Sequence, residues 1–507
     1  MASVYYLVCF LERNLKAEKK KVITMKVMIA FPSLPESKGI PQLTQNRQFQ
    51  WYHSSSTFIY PIIPATAATL LKENDFNVDF YDGIAQRETF NDFLHRYRVF
   101  KPEITVFETK TPVIKQHWKI IDQLKTEDHN SLFVLIGDHV TALPKESLVN
   151  SKVDYVISGG DFDVILLGLA QHLRDGSALP KGIWYKQNGE LKTSGEAHLS
   201  TNLDDLPWID RELTKWQLYG EAYLLRPVTY LMSGRDCPYR CTFCSWSNIL
   251  FPKMRYRSVK NVLDEVEELR AKYKIKEIFD DTGTFTVSKK WVKEFCREMQ
   301  TRGLSEEINY SINSRFDHFQ DYEYCKMLKE SGIRIIKVGL ESGNNATLQR
   351  IQKRLTTQQI YQGAKSASKA GLTVFLTIMV GYPWESKEDA EKTVSLAREL
   401  MIKGWASILQ GSVIIPYPGT PLYQEALTNN WFSVNPKAWE LFDMTQPVLQ
   451  TSMNPASVMK MCDNLWRIYL HPKYLLRRLT KIRGLDDLRF TINGLSSVIG
   501  HIRDFMR

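Results

Sequence analysis

The sequence predicts an α/β protein: a doubly wound parallel sheet, then a partial (β/α)6 barrel, then a helical, basic C-terminal region. Three patterns carry that prediction. Between Val27 and Arg174, short apolar runs alternate with amphipathic helical stretches, the alternation that specifies parallel strands covered by helices. A second series of the same kind begins at Val228 and yields six more runs, too few for a closed eight-stranded barrel. Beyond about Asn429 the rhythm turns helical and basic.

The chain has 507 residues, ample for a core and long enough for about three domains. Apolar residues are 43% and charged residues 24%, which excludes disordered, collagenous and disulfide-dense classes. No apolar run reaches the roughly 20 residues of a membrane span. The run from Ser3 to Leu11 is too short for one, and no small-residue cleavage site follows it, so no signal peptide is read and a cytoplasmic setting is expected. Net charge is +10. From His471 to Arg507 there are eight Lys/Arg and three Asp/Glu, a balance that suits nucleic acid, an anionic membrane, a phosphorylated substrate or simply a solvated helical face.

Residues 1–24 read as a peripheral extension, with Lys19, Lys20 and Lys21 and no durable apolar rhythm; Met25 is a candidate start. Residues 25–174 form the first expected domain. Met25–Pro32 opens it, and Val78–Asp82, Ile104–Phe107, Leu132–Gly137 and Val153–Ile157 continue it, with helices such as Pro64–Glu73 and Gln116–Lys125 between. Ligands of doubly wound sheets sit beyond the carboxyl ends of the strands. Those ends carry Tyr81-Asp82-Gly83, Glu108-Thr109-Lys110-Thr111 and Gly137-Asp138-His139-Val140-Thr141. No Gly-x-Gly-x-x-Gly and no P-loop occurs, so no dinucleotide or ATP signal is present. Residues 175–225, punctuated by Gly, Pro and Asp, read as a linker. Residues 226–428 give strands at Val228–Met232, Glu277–Asp280, Asn309–Asn313, Ile335–Leu340, Val374–Met379 and Gly411–Ile415, with helices such as Val262–Lys272, Lys289–Gln300 and Ser386–Met401. Residues 429–507 form the helical basic region.

The seven cysteines are Cys9, Cys237, Cys241, Cys244, Cys296, Cys325 and Cys462. Their number is odd and three crowd into eight residues, which suits a metal or cluster better than disulfides. Cys237, Cys241 and Cys244 form Cys-x3-Cys-x2-Cys directly after the first barrel strand. Soft thiolates at this spacing suit an iron–sulfur cluster. Three ligands leave one iron open, as a catalytic metal requires. A zinc site would need a fourth ligand, and no Cys or His pair follows at finger spacing. Cys296 and Cys325 fall within expected helices as core thiols.

The segment Cys237-Pro238-Tyr239-Arg240-Cys241-Thr242-Phe243-Cys244, with Phe243 before the third cysteine, resembles the signature of the radical S-adenosylmethionine (SAM) superfamily. The resemblance covers about residues 226–425. It implies a [4Fe-4S] cluster on the three cysteines, with SAM chelating the fourth iron. It implies reductive cleavage of SAM to a 5′-deoxyadenosyl radical, which takes hydrogen from a substrate carbon, and an electron donor such as flavodoxin or ferredoxin. Later strand ends fall in the family's order. Asp281 and Thr282, in Phe279-Asp280-Asp281-Thr282-Gly283, take the place of the usual Gly-Gly-Glu that holds SAM's amino group. Arg315 ends the third strand as a fork for SAM's carboxylate. Glu341, in Gly339-Leu340-Glu341-Ser342-Gly343, would accept ribose hydroxyls, and Gly381 would let adenine approach the backbone.

An α/β domain ahead of such a barrel resembles the cobalamin-dependent branch of that superfamily. Gly137–Pro144 and Val153–Asp161 look like its Rossmann-like cobalamin-type domain, although Gly159-Gly160-Asp161 replaces the usual Gly-Glu. The resemblance implies cobalamin held by Thr109, Gly137, His139, Thr141 and Gly159. Corrinoid domains that ligate cobalt from below use Asp-x-His-x-x-Gly; here Asp138 and His139 are adjacent, so no histidine is expected beneath the cobalt. The branch implies either methyl transfer or an oxidative cyclisation, as in the anaerobic cyclase of bacteriochlorophyll synthesis. The expectation is methylation of an unactivated carbon on a small or lipid-like metabolite. A tRNA substrate, as for the methylthiotransferases, is disfavoured: those carry further cysteines in the first domain, and none lies between Cys9 and Cys237. A non-catalytic cobalamin- or cluster-binding sensor is the rival from another class. Leu475-Leu476-Arg477-Arg478-Leu479-Thr480-Lys481 is a candidate for peripheral membrane contact.

Overall fold

The computed structural model describes residues 24–42, 49–52, 57–199, 202–251 and 253–480. The extension at residues 1–23 and the tail from Lys481 onward lie outside the described residues. The first sheet contains β1 (Lys26–Phe31), β2 (Asn77–Asp82), β3 (Ile104–Glu108), β4 (Leu132–Ile136), β5 (Tyr155–Ile157), β6 (Ile183–Gln187) and β7 (Glu190–Thr193), in the order β2-β1-β3-β4-β5-β6-β7. β1 to β5 are parallel. Their near-continuous apolar runs are buried on both faces, as in β1, where Val27, Met28 and Ile29 are fully buried. Helices α1 (Ile62–Glu73), α2 (Phe90–Phe100), α3 (Ile114–Glu127) and α4 (Phe162–Asp175) belong to this domain. α2 starts where Thr89 and Asp92 cap each other reciprocally, a device worth about 1 kcal/mol. Strand order reverses between β1 and β3, and the crevice at such a switch point is where doubly wound sheets bind ligands.

Residues 175–225 are not simply a linker. β6 and β7 form a hairpin that extends the first sheet with two antiparallel strands. Its turn, Asn188-Gly189, has φ of 53° and 82°, the paired left-handed geometry that matches the twist of a two-residue hairpin.

The second sheet holds β8 (Val228–Leu231), β9 (Glu277–Asp280), β10 (Asn309–Ser314), β11 (Ile333–Glu341), β12 (Thr373–Val380) and β13 (Ile408–Val413), all parallel and adjacent in sequence order. The last strand begins three residues before the expected Gly411, because Ile408 already pairs with Phe375. Helices α5 (Val259–Tyr273), α6 (Lys289–Thr301), α7 (Tyr322–Glu330), α8 (Thr357–Lys369) and α9 (Lys387–Lys403) cross between strands, and α10 (Pro421–Thr428) follows β13. Side-chain caps start several of them: Ser258, Ser288, Thr356, Ser386 and Thr420 each accept a backbone N–H.

Two features join the sheets. Arg235 pairs with Asp161 at 2.8 Å and Asp163 at 2.5 Å, and Arg255 reaches Asp161 at 2.5 Å; all four side chains are buried. Burial pushes Asp161 up, but Arg255 and Arg235 outweigh it and hold the carboxyl below its ordinary range. These arginines lie on the hairpin Gly234–Arg235/Arg255–Tyr256, which frames the cysteine segment. The chain also returns from the barrel to the first domain at Trp439. Its Nε1 donates to Glu146 at 3.0 Å, its ring stands edge-on to His139, and Glu440 and Asp443 pair with Lys115 and Lys38. The chain closes with α11 (Pro455–Arg467) and α12 (Pro472–Leu479); α11 packs on β13, where Gly411 admits Leu465.

Candidate active site

A cavity of about 160 Å³ opens at the carboxyl ends of the barrel strands, and Cys237, Cys241 and Cys244 line it. Backbone hydrogen bonds hold the segment that presents them. Asn248 Nδ2 donates to the carbonyls of Cys241 at 2.9 Å and Cys244 at 2.7 Å. Thr242 donates to Ile351 O at 3.0 Å and accepts from Leu422 N at 2.9 Å. Arg240 Nη1 reaches Cys237 O at 3.0 Å. Asp236, one residue earlier, sits at φ 95°, a left-handed conformation costly for a residue with a side chain and held by its surroundings.

The thiols differ in setting. Cys241 is buried, and burial pushes it up to about 11 against the pull of the Lys353 ammonium. It therefore holds its proton until a metal displaces it. Cys237 is half-buried, with Sγ 3.1 Å from Thr284 Oγ1. Among the described residues, no group of three His, Cys, Asp or Glu gathers as tightly as a single ion requires. The three thiols line the cavity together with the cations Lys353 and Arg315. Three soft donors, offset by buried cations and facing open space, fit a cluster with one iron left open.

The strand ends bring several expected residues to the same cavity. Phe243, Asp281, Arg315 and Glu341 line it. Asp281 Oδ1 accepts from Asn313 Nδ2 at 3.0 Å. Arg315 stacks 3.6 Å over Tyr239, pairs with Asp317 at 3.1 Å and donates to Lys353 O at 2.6 Å. Glu341 ends β11 at φ 58°, beside a register shift in the β11–β12 ladder, and its Oε1 meets Lys353 Nζ at 2.8 Å. Gly339 leaves the space they need, for a Cβ there would lie 1.9 Å from Glu341 Oε1.

Two expected residues lie elsewhere. Thr282 is fully buried behind the wall, donating to Asp280 at 2.6 Å and accepting from Gly234 N at 2.8 Å; Gly283 and Thr284 face the cavity instead. Gly381, at φ 91°, makes room for Val458 of α11, not for a ligand in the cavity. Lys353 and Tyr239 escaped the sequence reading. Lys353 lies in a loop after β11 with no motif around it, whereas Tyr239 stood inside the cysteine segment.

At the first sheet the five expected residues fall together. Gly137, at φ 120°, has no room for a Cβ against Thr109 O. Thr141 Oγ1 donates to Gly137 O at 2.7 Å and accepts from Gly159 N at 3.1 Å. His139 is buried, with Nδ1 3.1 Å from Thr111 Oγ1 and Nε2 3.0 Å from Glu146. Both its nitrogens are engaged, so it has none for a metal. Glu108 Oε2 and Thr109 Oγ1 are buried without a hydrogen-bond partner at the end of β3, beside the switch point. Burial pushes Glu108 up to about 8. Orphaned polar atoms at this place, on a carboxyl held near neutral, fit a large ligand rich in amides.

Residues 231–397 match the family model described as Radical SAM superfamily. The barrel thus carries a radical SAM domain, and an α/β domain precedes it. The chain is 28% identical over 443 residues to an uncharacterized methyltransferase of Pyrococcus horikoshii, covering 86% of this chain and 94% of that one. It is 25% identical over 387 residues to the anaerobic magnesium-protoporphyrin IX monomethyl ester cyclase of Cereibacter sphaeroides, covering 74% of this chain and 62% of that one. The solved structure of the cobalamin-dependent SAM radical enzyme OxsB, with aqua-cobalamin and SAM bound, shares the fold: TM-score 0.64 at 16% identity, over 95% of this chain and 72% of that one.

Proposed function

We propose that this radical SAM enzyme is a cobalamin-dependent methyltransferase acting on an unactivated carbon of a small molecule. One observation carries the reading: three cysteine thiols line the same cavity as Asp281, Arg315 and Glu341, at the strand ends where barrel chemistry is built. Bound together, the [4Fe-4S] cluster, SAM and cobalamin supply one-electron reduction, a carbon radical and a transferable methyl group. Cys237, Cys241 and Cys244 hold the cluster. Asp281 would accept from the amino group of SAM, Arg315 would face its carboxylate, and Glu341, paired with Lys353 at 2.8 Å, would accept from the ribose hydroxyls. Phe243 and Met379 wall the site against water. Glu108, Thr109 and the turns at Gly137 and Gly159 would hold the corrin, while both ring nitrogens of His139 are engaged by Thr111 and Glu146.

Methylation is favoured over cyclisation by the length match: the chain spans 94% of the methyltransferase relative and 62% of the cyclase. Electrons come from a flavodoxin- or ferredoxin-type donor in the cytoplasm. No helix among the described residues is long and apolar enough to cross a membrane. Leu476 and Leu479, exposed on basic α12, support peripheral contact with an anionic bilayer. The test is anaerobic reconstitution with iron, sulfide and hydroxocobalamin, then addition of SAM and dithionite. The expected result is about one corrin per chain together with 5′-deoxyadenosine. An intact cluster with no corrin would remove the cobalamin half of the proposal; an intact cluster that leaves SAM uncleaved would remove all of it.

A further inference from the structure

The cavity does not end at the SAM-site residues. Lys337, Gly339 and Glu341 alternate along β11, and all three line it. At the rise of a strand, Lys337 stands about 13 Å below Glu341, deeper in the barrel. Between them Gly339 presents no side chain. Two charged pairs therefore stack along one strand. The upper, Glu341–Lys353, closes at 2.8 Å. The lower, Lys337 with Glu221, stands open at 3.9 Å, too far for a hydrogen bond.

The lower pair is costly as it stands. Glu221 is buried, and the Lys337 ammonium lies 4.9 Å from the ring centre of Phe375 and 5.9 Å from that of Phe279. Among the described residues Lys337 donates no hydrogen bond; the Tyr223 hydroxyl lies against Glu221, and the buried Tyr230 hydroxyl has no hydrogen-bond partner. A half-buried ammonium and a buried carboxylate held beyond hydrogen-bond distance at the wall of a cavity gain little from each other. A ligand carrying the opposite charges would give each a closer partner.

We propose that this floor is the substrate's recognition site and that the substrate is an amino-acid-like zwitterion, its carboxylate on Lys337 and its ammonium toward Glu221. The proposal rests on the methyltransferase reading and replaces a lipid-like substrate with a polar one. The apolar wall of Ile59, Ile414, Ile415 and Met444, in the same cavity, receives the carbon skeleton.

The test is calorimetric titration of the reconstituted holoenzyme, saturated with SAM so that its own zwitterion site is filled, and without reductant. The probes are L-norleucine, hexanoate, hexylamine and 1-hexanol, matched in chain length and differing in charge. Norleucine is expected to bind at least about tenfold more tightly than either singly charged probe. Lys337→Met should cost norleucine and hexanoate about tenfold and spare hexylamine; Glu221→Gln should do the reverse. Lys337→Arg should restore hexanoate binding, which separates recognition from misfolding. No saturable norleucine binding, or 1-hexanol binding as tightly as norleucine, overturns the proposal. If 5′-deoxyadenosine still forms from SAM in that case, the radical SAM reading stands and only the zwitterion falls.

Discussion

Both parallel sheets present their carboxyl ends to ligands, yet the two edges are built differently. The barrel edge is open, with a cavity lined by three thiols, Lys353 and Arg315. The first sheet's edge is partly covered. Trp439 lies against His139 and Glu146, Phe251 fills the space above Gly160, and Ala142 meets Gly419. What remains unsatisfied there is small and specific: Glu108 Oε2 and Thr109 Oγ1. The difference teaches that one edge gathers soft donors and cations around open space, while the other is covered by packing between the two halves of the chain.

The largest effect belongs to the open edge. Cys237→Ala, Cys241→Ala or Cys244→Ala should each lower 5′-deoxyadenosine formation by more than about a hundredfold, since even outer-shell changes at metal sites cost 10–100-fold. Iron analysis checks the cause, and normal corrin content in the same variants would show that the edges load independently. Next comes the joint between the sheets. Arg235→Ala strips Asp163 of its guanidinium and should cost about 3–5 kcal/mol in urea unfolding. Adding Asp163→Asn should recover part of the loss. An unchanged unfolding midpoint would mean that the joint is not what holds the cysteine hairpin.

A smaller effect isolates the covered edge. Burial raises Glu108 to about 8 in the fold from an ordinary 4.5, so the native state binds the extra proton between those values. Stability attributable to Glu108 is therefore full below about pH 4.5 and is lost as pH rises through about 8. Glu108→Gln should flatten this slope, with a relative gain at alkaline pH of at most about 5 kcal/mol, read from melting curves. The smallest expected effect is none: His139→Gln should leave the electron paramagnetic resonance spectrum of bound cob(II)alamin unchanged. New nitrogen hyperfine structure that depends on His139 would place it under the cobalt.

The order of strands and the cysteine segment were legible because both are local. Six apolar runs in series specify six parallel neighbours, and Cys-x3-Cys-x2-Cys needs no distant partner to be read. Strand ends were half legible. Alternation puts Asp281 on the cavity and turns Thr282 behind it, and a one-residue error in facing is enough to exchange them. Gly381 failed because its neighbour, Val458, lies in a helix far along the chain. β6 and β7 were missed because their polar, half-exposed residues hide the alternation, although Asn188-Gly189 marks a hairpin. Lys353, Lys337 and Glu221 carry no motif; only the curvature of the sheet brings them to one lumen.

The bond between Trp439 and Glu146 spans 293 positions of sequence. A ribosome adding about 5–20 residues per second needs roughly 15–60 s to cover that interval. For that time the first domain has its strands but not the Trp439 contact with His139 and Glu146. The covering of this edge is therefore among the last steps by which the chain completes its first domain.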